Sequence, residues 1–151
     1  MLNVAMSELI AHTEPMILID RLVAFDTDTA HCQVTITPKS AFYDSNNARV
    51  PSYIGSEYMA QAIAAYAGAH DITSKREVKI GFLLGSRKLR CYHPWFVDGD
   101  VLDVFVEKLI QDESGLSVFN CQIKRGDICM VEAKINVFQP ADPMNFIKEN
   151  Q

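Results

Sequence analysis

The chain has 151 residues, of which 48% are hydrophobic and 22% are charged, and its formal net charge at pH 7 is −5. These values are typical of a soluble globular domain, and a chain of this length buries enough surface to fold without metals or disulfides. The acidic balance argues against a general nucleic-acid binder and against a helix that lies on a membrane surface. We expect a single domain over residues 1–151, with 140–151 as a loosely held tail.

The sequence has no recognisable export or membrane segment. No apolar run approaches the roughly 18 residues of a membrane span, and the first ten residues contain Glu8 but no lysine or arginine. The cysteines lie at positions 32, 91, 121 and 129, without a Cys-x-x-Cys pair or a zinc-binding spacing. We therefore expect reduced thiols and a cytoplasmic protein.

The first part of the chain predicts two strands. Residues 16–19 are a short apolar run followed by polar residues, which indicates a first strand. Residues 30–37 alternate between apolar and polar side chains, as in a strand with one buried and one solvated face. Pro38 ends this strand, and 44–47 is expected to form a loop.

The segment 52–70 predicts a buried helix. It is rich in alanine, which favours helix, and Ser52 follows Pro51 in a position suited to an N-cap. Its side chains are small on nearly all sides, so other parts of the backbone can approach closely. A helix of this kind is usually enclosed by the rest of the domain.

Four strand-like stretches follow the helix, and turn sequences at 112–115 and 125–127 join the last three. The Arg-Gly-Asp sequence at 125–127 is interpreted as a hairpin turn rather than an adhesion motif. A long helix followed by hairpins predicts an α+β fold in which an antiparallel sheet wraps the helix. The expected strands are 79–89, 100–110, 116–124 and 128–138.

Glu57 is the main candidate for a catalytic group, because it lies early in the alanine-rich helix. An ionised carboxylate is costly to bury unless it is paired, and Gln61, four residues later, shares its face. Together they indicate a polar spot that faces a cavity. The alternative for Glu57 is a partly solvated carboxylate favoured by the helix dipole, and for Gln61 a hydrogen bond to the backbone.

Four histidines are candidate partners for Glu57. His31 alternates with buried residues and is expected to face solvent, while His70 lies at the helix end, where a cation suits the dipole. His93 lies in a loop-like stretch. His12 lies where a loop meets the predicted first strand, and we consider it the best of the four, with a structural role as the alternative for each.

The densest basic stretch is interpreted either as a solvated face or as a docking surface for an acidic partner. The sequence has no glycine-rich phosphate loop and no Gly-x-Ser-x-Gly nucleophile motif. The basic residues are Lys75, Arg76, Lys79, Arg87, Lys88 and Arg90.

Three motifs, in order, resemble the hotdog-fold 3-hydroxyacyl-[acyl-carrier-protein] dehydratases. The segment 51–61, PSYIGSEYMAQ, resembles the start of their central helix, and 12–21 resembles their N-terminal motif. Residues 85–88, Pro94 and residues 97–100 resemble their third strand and the loop after it. The sequences EYMAQAIAAYAG, IGFLLGSRK and INVFQP are similar to dehydratase-like hotdog proteins of aryl polyene gene clusters.

The resemblance implies a helix wrapped by a curled antiparallel sheet, in a homodimer or heterodimer whose two sheets join and whose acyl tunnels lie at the interface. It implies a 3-hydroxyacyl chain on the phosphopantetheine of an acyl carrier protein, without a metal or nucleotide cofactor. The acid of the family matches at Glu57. The loop that carries the family's catalytic histidine corresponds to 42–51, which contains none, and Ser52 replaces a glycine.

The implied reaction removes water from the 3-hydroxyacyl thioester and gives the trans-2-enoyl thioester. We assign the general acid to Glu57 and, in place of the missing loop histidine, the base to His12. Backbone N–H groups around Tyr53 and Ile54 are expected to polarise the thioester carbonyl. The remaining expected substrate contacts are Ser52, Gln61 and Gly85.

Two other functions stay open. A hotdog thioesterase would use the same carboxylate to activate water, and it would release free thiol without an enoyl product. A catalytically weak partner subunit would complete a dimer and bind the carrier protein, and it would be inactive alone but active with a sister dehydratase. The Met-Ala-Gln sequence of the helix favours the dehydratase.

Overall fold

A computed structural model of the chain describes residues 6, 17–75 and 82–138. His12, residues 76–81 and the tail 140–151 lie outside the described residues. Within the described ranges the helical elements are a 3-10 turn, Ser52–Ile54, and helix α1, Gly55–Thr73. The strands are β1 (Arg21–Phe25), β2 (Thr29–Thr35), β3 (Arg49–Pro51), β4 (Phe82–Cys91), β5 (Trp95–Val97), β6 (Val101–Gln111), β7 (Leu116–Arg125) and β8 (Ile128–Phe138).

Six strands form one antiparallel sheet in the order β1-β2-β6-β7-β8-β4. In β2, Ala30, Cys32 and Val34 are buried on the inner face and alternate with more exposed residues, as the sequence pattern predicts. The meander of β6, β7 and β8 is confirmed. The turn at 125–127 joins β7 to β8, and Gly126 supplies the positive φ of 60° that such a turn favours.

Helix α1 packs against the inner face of this sheet, so the predicted α+β arrangement is confirmed. Ala62, Ala65 and Ala69 have no exposed surface, because small side chains bring the helix close to its neighbours. At Gly55 even a methyl group would be crowded, since an added Cβ would lie 2.7 Å from Cδ1 of Ile123 on β7. The start of the helix is therefore pressed directly onto the sheet.

The predicted first strand is wrong in position, because the ladder begins at Arg21 rather than in 16–19. Asp20 explains the difference within the described part of that run. Its Oδ2 accepts a hydrogen bond from the backbone N–H of Thr35 at 2.7 Å. This side-chain bond replaces the backbone bond that a strand at 16–19 would make to the same N–H. Ile19 is buried in the core instead of pairing.

The predicted N-cap at Ser52 is also wrong. Helix α1 begins at Gly55, and neither it nor the 3-10 turn has a side-chain cap hydrogen bond. Ser52 is buried, and its backbone N–H donates to the carbonyl of Pro94 at 2.9 Å. This bond extends the pairing of β3 with β5, two short strands that local sequence patterns did not predict.

Among the described strands, β4 forms one edge of the sheet and pairs with β8 alone. Every side chain from Ser86 to Cys91 is exposed. The register shifts between Leu83 and Gly85 and again between Arg87 and Arg90. A long exposed edge presents unpaired backbone groups, which proteins usually cover or distort.

Candidate active site

A short closed turn leads into the helix, at the position of the loop that lacks a histidine. The Asp44 carboxylate organises the turn by accepting hydrogen bonds from the Asn46 backbone at 3.0 Å and from Nδ2 of Asn47 at 2.9 Å. These hydrogen bonds hold the pKa of Asp44 below its usual value, and the bond from the Asn47 side chain has the largest effect. Strands β3 and β5 then pair and fix the direction in which the chain enters the helix.

Glu57 lies in the first turn of α1, where a carboxylate is favoured by the helix dipole. Its side chain is exposed in the single chain, which corrects the expectation that Glu57 and Gln61 share an enclosed polar spot. The next two residues, Tyr58 and Met59, point into the core, so the helix turns Glu57 away from its own sheet. Within one chain, Glu57 matches the solvated alternative.

Gln61 is buried, with 4% of its surface exposed, and its Oε1 accepts the backbone N–H of Leu18 at 2.7 Å. This bond matches the alternative expected for Gln61, a contact with the backbone. It attaches the N-terminal segment to the helix one turn beyond Glu57. His12 is six residues before Leu18 in the sequence and lies outside the described residues.

Replacing Gln61 by leucine is expected to destabilise the fold by about 1–3 kcal/mol, because the Leu18 N–H would lose its acceptor. Chemical denaturation measures the loss, and amide hydrogen exchange at Leu18 should become faster. The matched control is Gln122→Leu, on the outer face of β7. Equal stability losses in both variants, with unchanged exchange at Leu18, would show that Gln61 does not anchor this segment.

Three of the expected substrate contacts lie together in the 3-10 turn. Ser52 and Ile54 are buried, whereas Tyr53 is 59% exposed. The N–H of Ser52 is already bonded to Pro94, so a carbonyl-binding N–H would have to come from the residues that follow. Gly85 lies instead on the edge strand β4, with a φ of 154° and open space where a Cβ would be.

The histidines within the described residues have structural partners or lie on the surface. Nε2 of His31 is 2.7 Å from the Asp103 carboxylate on the outer face of the sheet, and His70 bonds the carbonyl of Asp26 at 2.8 Å. His93 is exposed between β4 and β5. The assignment of the base to His12 concerns a residue outside the described ranges and stays a prediction.

Asp100 holds the turn between β5 and β6. Its Oδ2 accepts the Val97 N–H at 2.9 Å and lies 3.5 Å from the Arg125 guanidinium. Gly99 supplies the positive φ of 89° that the turn requires. The Val-Asp-Gly-Asp sequence at 97–100 is therefore a structural motif that supports β5 beside the start of the helix.

Arg49 was not identified as a candidate from the sequence. Its guanidinium stacks on the Trp95 ring, 3.5 Å from the ring centre. The contact follows from the pairing of β3 with β5, so no local signal in the sequence could have shown it.

Two cavities have linings among the described residues, and neither lining includes Glu57. One, of about 540 Å³, includes His31 and Phe105 in its lining, and the other, of about 360 Å³, includes Tyr66 and His70. Over residues 17–75 and 82–138, no three His, Cys, Asp or Glu side chains cluster as metal ligands would. No helix in the described part of the chain is both long and apolar enough to span a membrane.

The sequence and fold are similar to those of known proteins. A subunit of the dehydratase heterocomplex ApeI:P from Xenorhabdus doucetiae has a TM-score of 0.90 and 29% identity, with 99% of each chain covered. Two other structures show the fold alone. Cj0977, a sigma28-regulated virulence protein from Campylobacter jejuni, has a TM-score of 0.61 and 18% identity, with 91% of this chain and 88% of that chain covered. The uncharacterized protein PH1136 from Pyrococcus horikoshii has a TM-score of 0.67 and 12% identity, with 95% of this chain and 99% of that chain covered. No curated protein sequence matches the chain.

The family model described as ApeP dehydratase matches residues 4–148, almost the whole chain. The hotdog fold and the dehydratase resemblance are thereby confirmed. The chain belongs to the ApeP-like dehydratase family.

Proposed function

We propose that this chain is a subunit of a 3-hydroxyacyl-[acyl-carrier-protein] dehydratase that acts in the cytoplasm on intermediates of polyene or fatty acid synthesis. The observation that carries the proposal is the position of Glu57, in the first turn of the central helix of a chain from a dehydratase family. A carboxylate there is free to meet a substrate, since its side chain is exposed.

The proposed active form contains a second hotdog subunit, either another copy or a related chain. The exposure of Glu57 and of Tyr53 favours this, because each would gain cover from a partner. The exposed edge strand β4 favours it as well, since another sheet can pair there. The similar chain from Xenorhabdus doucetiae belongs to the dehydratase heterocomplex ApeI:P.

The proposed mechanism uses one base and one acid on the same side of the substrate. His12, as a neutral imidazole, takes the proton from the carbon next to the thioester carbonyl, and the electron pair forms the new double bond. Glu57 gives its proton to the departing hydroxyl, which leaves as water. Cover by the partner would favour the protonated acid by removing water from it.

The proposed elimination needs no redox cofactor, because loss of water leaves the overall oxidation state of the substrate unchanged and an acid and a base suffice. The remaining requirement is a donor to the thioester carbonyl, where negative charge develops. N–H groups of the turn at Tyr53 and Ile54 lie at the start of the helix, where such donors are oriented outwards.

The test uses 3-hydroxyacyl carrier protein and separates products by mass spectrometry, with the chain alone and mixed with a sister dehydratase subunit. We expect enoyl thioester to form only in samples that contain this chain. Free thiol without an enoyl product would contradict the dehydratase and identify a thioesterase.

A catalytically weak partner subunit is the second candidate function. The loop at 42–51 has no histidine, and Glu57 is not covered within the single chain. The activity of this chain mixed with a sister dehydratase subunit distinguishes the two candidate functions. If substitution of Glu57 leaves the activity of the mixture intact, the catalytic groups belong to the other subunit and this chain is a structural partner.

A further inference from the structure

Arg49 carries a cation in an unusual setting. The guanidinium lies over the Trp95 ring at 3.5 Å, which stabilises the charge and fixes the plane of the group. About a third of the side chain, 32%, is exposed. The cation is therefore held rigid at the surface, next to the turn that opens the helix.

The acid beside Arg49 is a weak partner. Asp44 Oδ2 lies 3.9 Å from Nε of Arg49, too far for a hydrogen bond, and Nε is a buried donor without an acceptor. The Asp44 carboxylate is instead bonded to the Asn47 side chain and the Asn46 backbone. An anion with better geometry would gain charge-assisted bonds that Asp44 does not make.

Arg49 also lies close along the chain to the proposed acid. The last two residues of β3, the 3-10 turn and the first two residues of α1 separate Arg49 from Glu57, which sets a maximum distance of about 20 Å along the chain. An extended phosphopantetheine arm spans a distance of this order. A phosphate at Arg49 would thus let the thioester at the other end of the arm reach Glu57.

We propose that Arg49 binds the phosphate of the substrate's phosphopantetheine arm, with Trp95 as the platform that orients its guanidinium. The planar fork of arginine fits two phosphate oxygens, a geometry that lysine does not offer. The inference rests on the proposed function in taking a phosphopantetheine thioester as substrate. It adds the group that positions the arm.

The binding test needs no turnover. Trp95 is the only tryptophan, so its fluorescence reports directly on the guanidinium above it. The full chain is titrated with phosphopantetheine, with pantetheine and with inorganic phosphate. We expect Arg49→Gln to weaken phosphopantetheine binding about tenfold or more, Arg49→Lys to weaken it less, and neither to change pantetheine binding.

Arg21→Gln, on the edge strand β1 of the six-stranded sheet, is the matched control and should bind as the unsubstituted chain does. Equal losses for phosphopantetheine and pantetheine in Arg49→Gln would overturn the proposal, as would no response of the unsubstituted chain to phosphopantetheine. A response to inorganic phosphate as strong as that to phosphopantetheine would show a general anion site and overturn it too. If Trp95 fluorescence changes when the second subunit is added but not when phosphopantetheine is added, Arg49 belongs to the subunit interface and the proposal is overturned.

The kinetic arm compares 3-hydroxyacyl phosphopantetheine with the 3-hydroxyacyl N-acetylcysteamine thioester, which has no phosphate. Arg49→Gln should raise KM about tenfold for the first and leave the second unchanged. Failure of both thioesters to react with any subunit mixture would contradict the proposed function, whereas the titration would still decide whether Arg49 binds the phosphate.

Discussion

Replacing Glu57 by glutamine is expected to lower the rate of dehydration by about two orders of magnitude or more. Glutamine keeps the size of the side chain but has no proton to give to the departing hydroxyl. Because the side chain of Glu57 is exposed, the variant should fold normally. The measurement is the rate of enoyl thioester formation by the assembled protein.

Glu113→Gln is the matched control, since Glu113 is exposed in the turn between β6 and β7. It should retain full activity and the same melting temperature. If Glu57→Gln is as active as the unsubstituted protein, Glu57 is not the acid. If its activity falls together with its melting temperature and its subunit association, the residue acts by holding the interface.

The regular elements with strong local patterns were predictable. The alternation in β2 and the turn sequences around β7 depend on neighbouring residues only, and these strands were found close to their expected limits. The start of the helix was not predictable in the same way. Ser52 is a good N-cap in isolation, but its N–H bonds to Pro94, more than 40 residues along the chain.

The candidate site shows the same limit. Helical spacing correctly places Glu57 and Gln61 on one face of the helix, but it does not show which of the two side chains is buried. The backbone at Leu18 covers Gln61, while no described part of the chain covers Glu57. Which residue of a helical face is buried depends on segments distant in sequence and, for Glu57 in the proposed assembly, on a second subunit that the sequence of one chain does not contain.

The first strand was displaced for a related reason. An apolar run next to a polar pair is as typical of a core-filling segment as of a strand, and Asp20 decides between them by bonding the Thr35 N–H. The displacement bears on the site, because the same segment continues to Leu18 and its bond with Gln61. The described part of the N-terminal motif is thus attached to β2 by the side chain of Asp20 and to the central helix by the side chain of Gln61.

Replacing His12 by alanine is expected to reduce dehydration by about two orders of magnitude or more, because the α-proton would lose its base. The described segment that follows His12 in the sequence is attached to the helix one turn from Glu57, through the bond from Leu18 to Gln61. The acidic limb of the pH–rate profile should also disappear, since that limb reports the base becoming protonated.

His31→Ala is the matched control, because His31 bonds Asp103 on the outer face of the sheet, away from the helix. It should keep the activity and the pH profile. Full activity of His12→Ala would show that another base does the work. The same loss with an unchanged pH profile would show that His12 holds the N-terminal segment in place without exchanging a proton with the substrate.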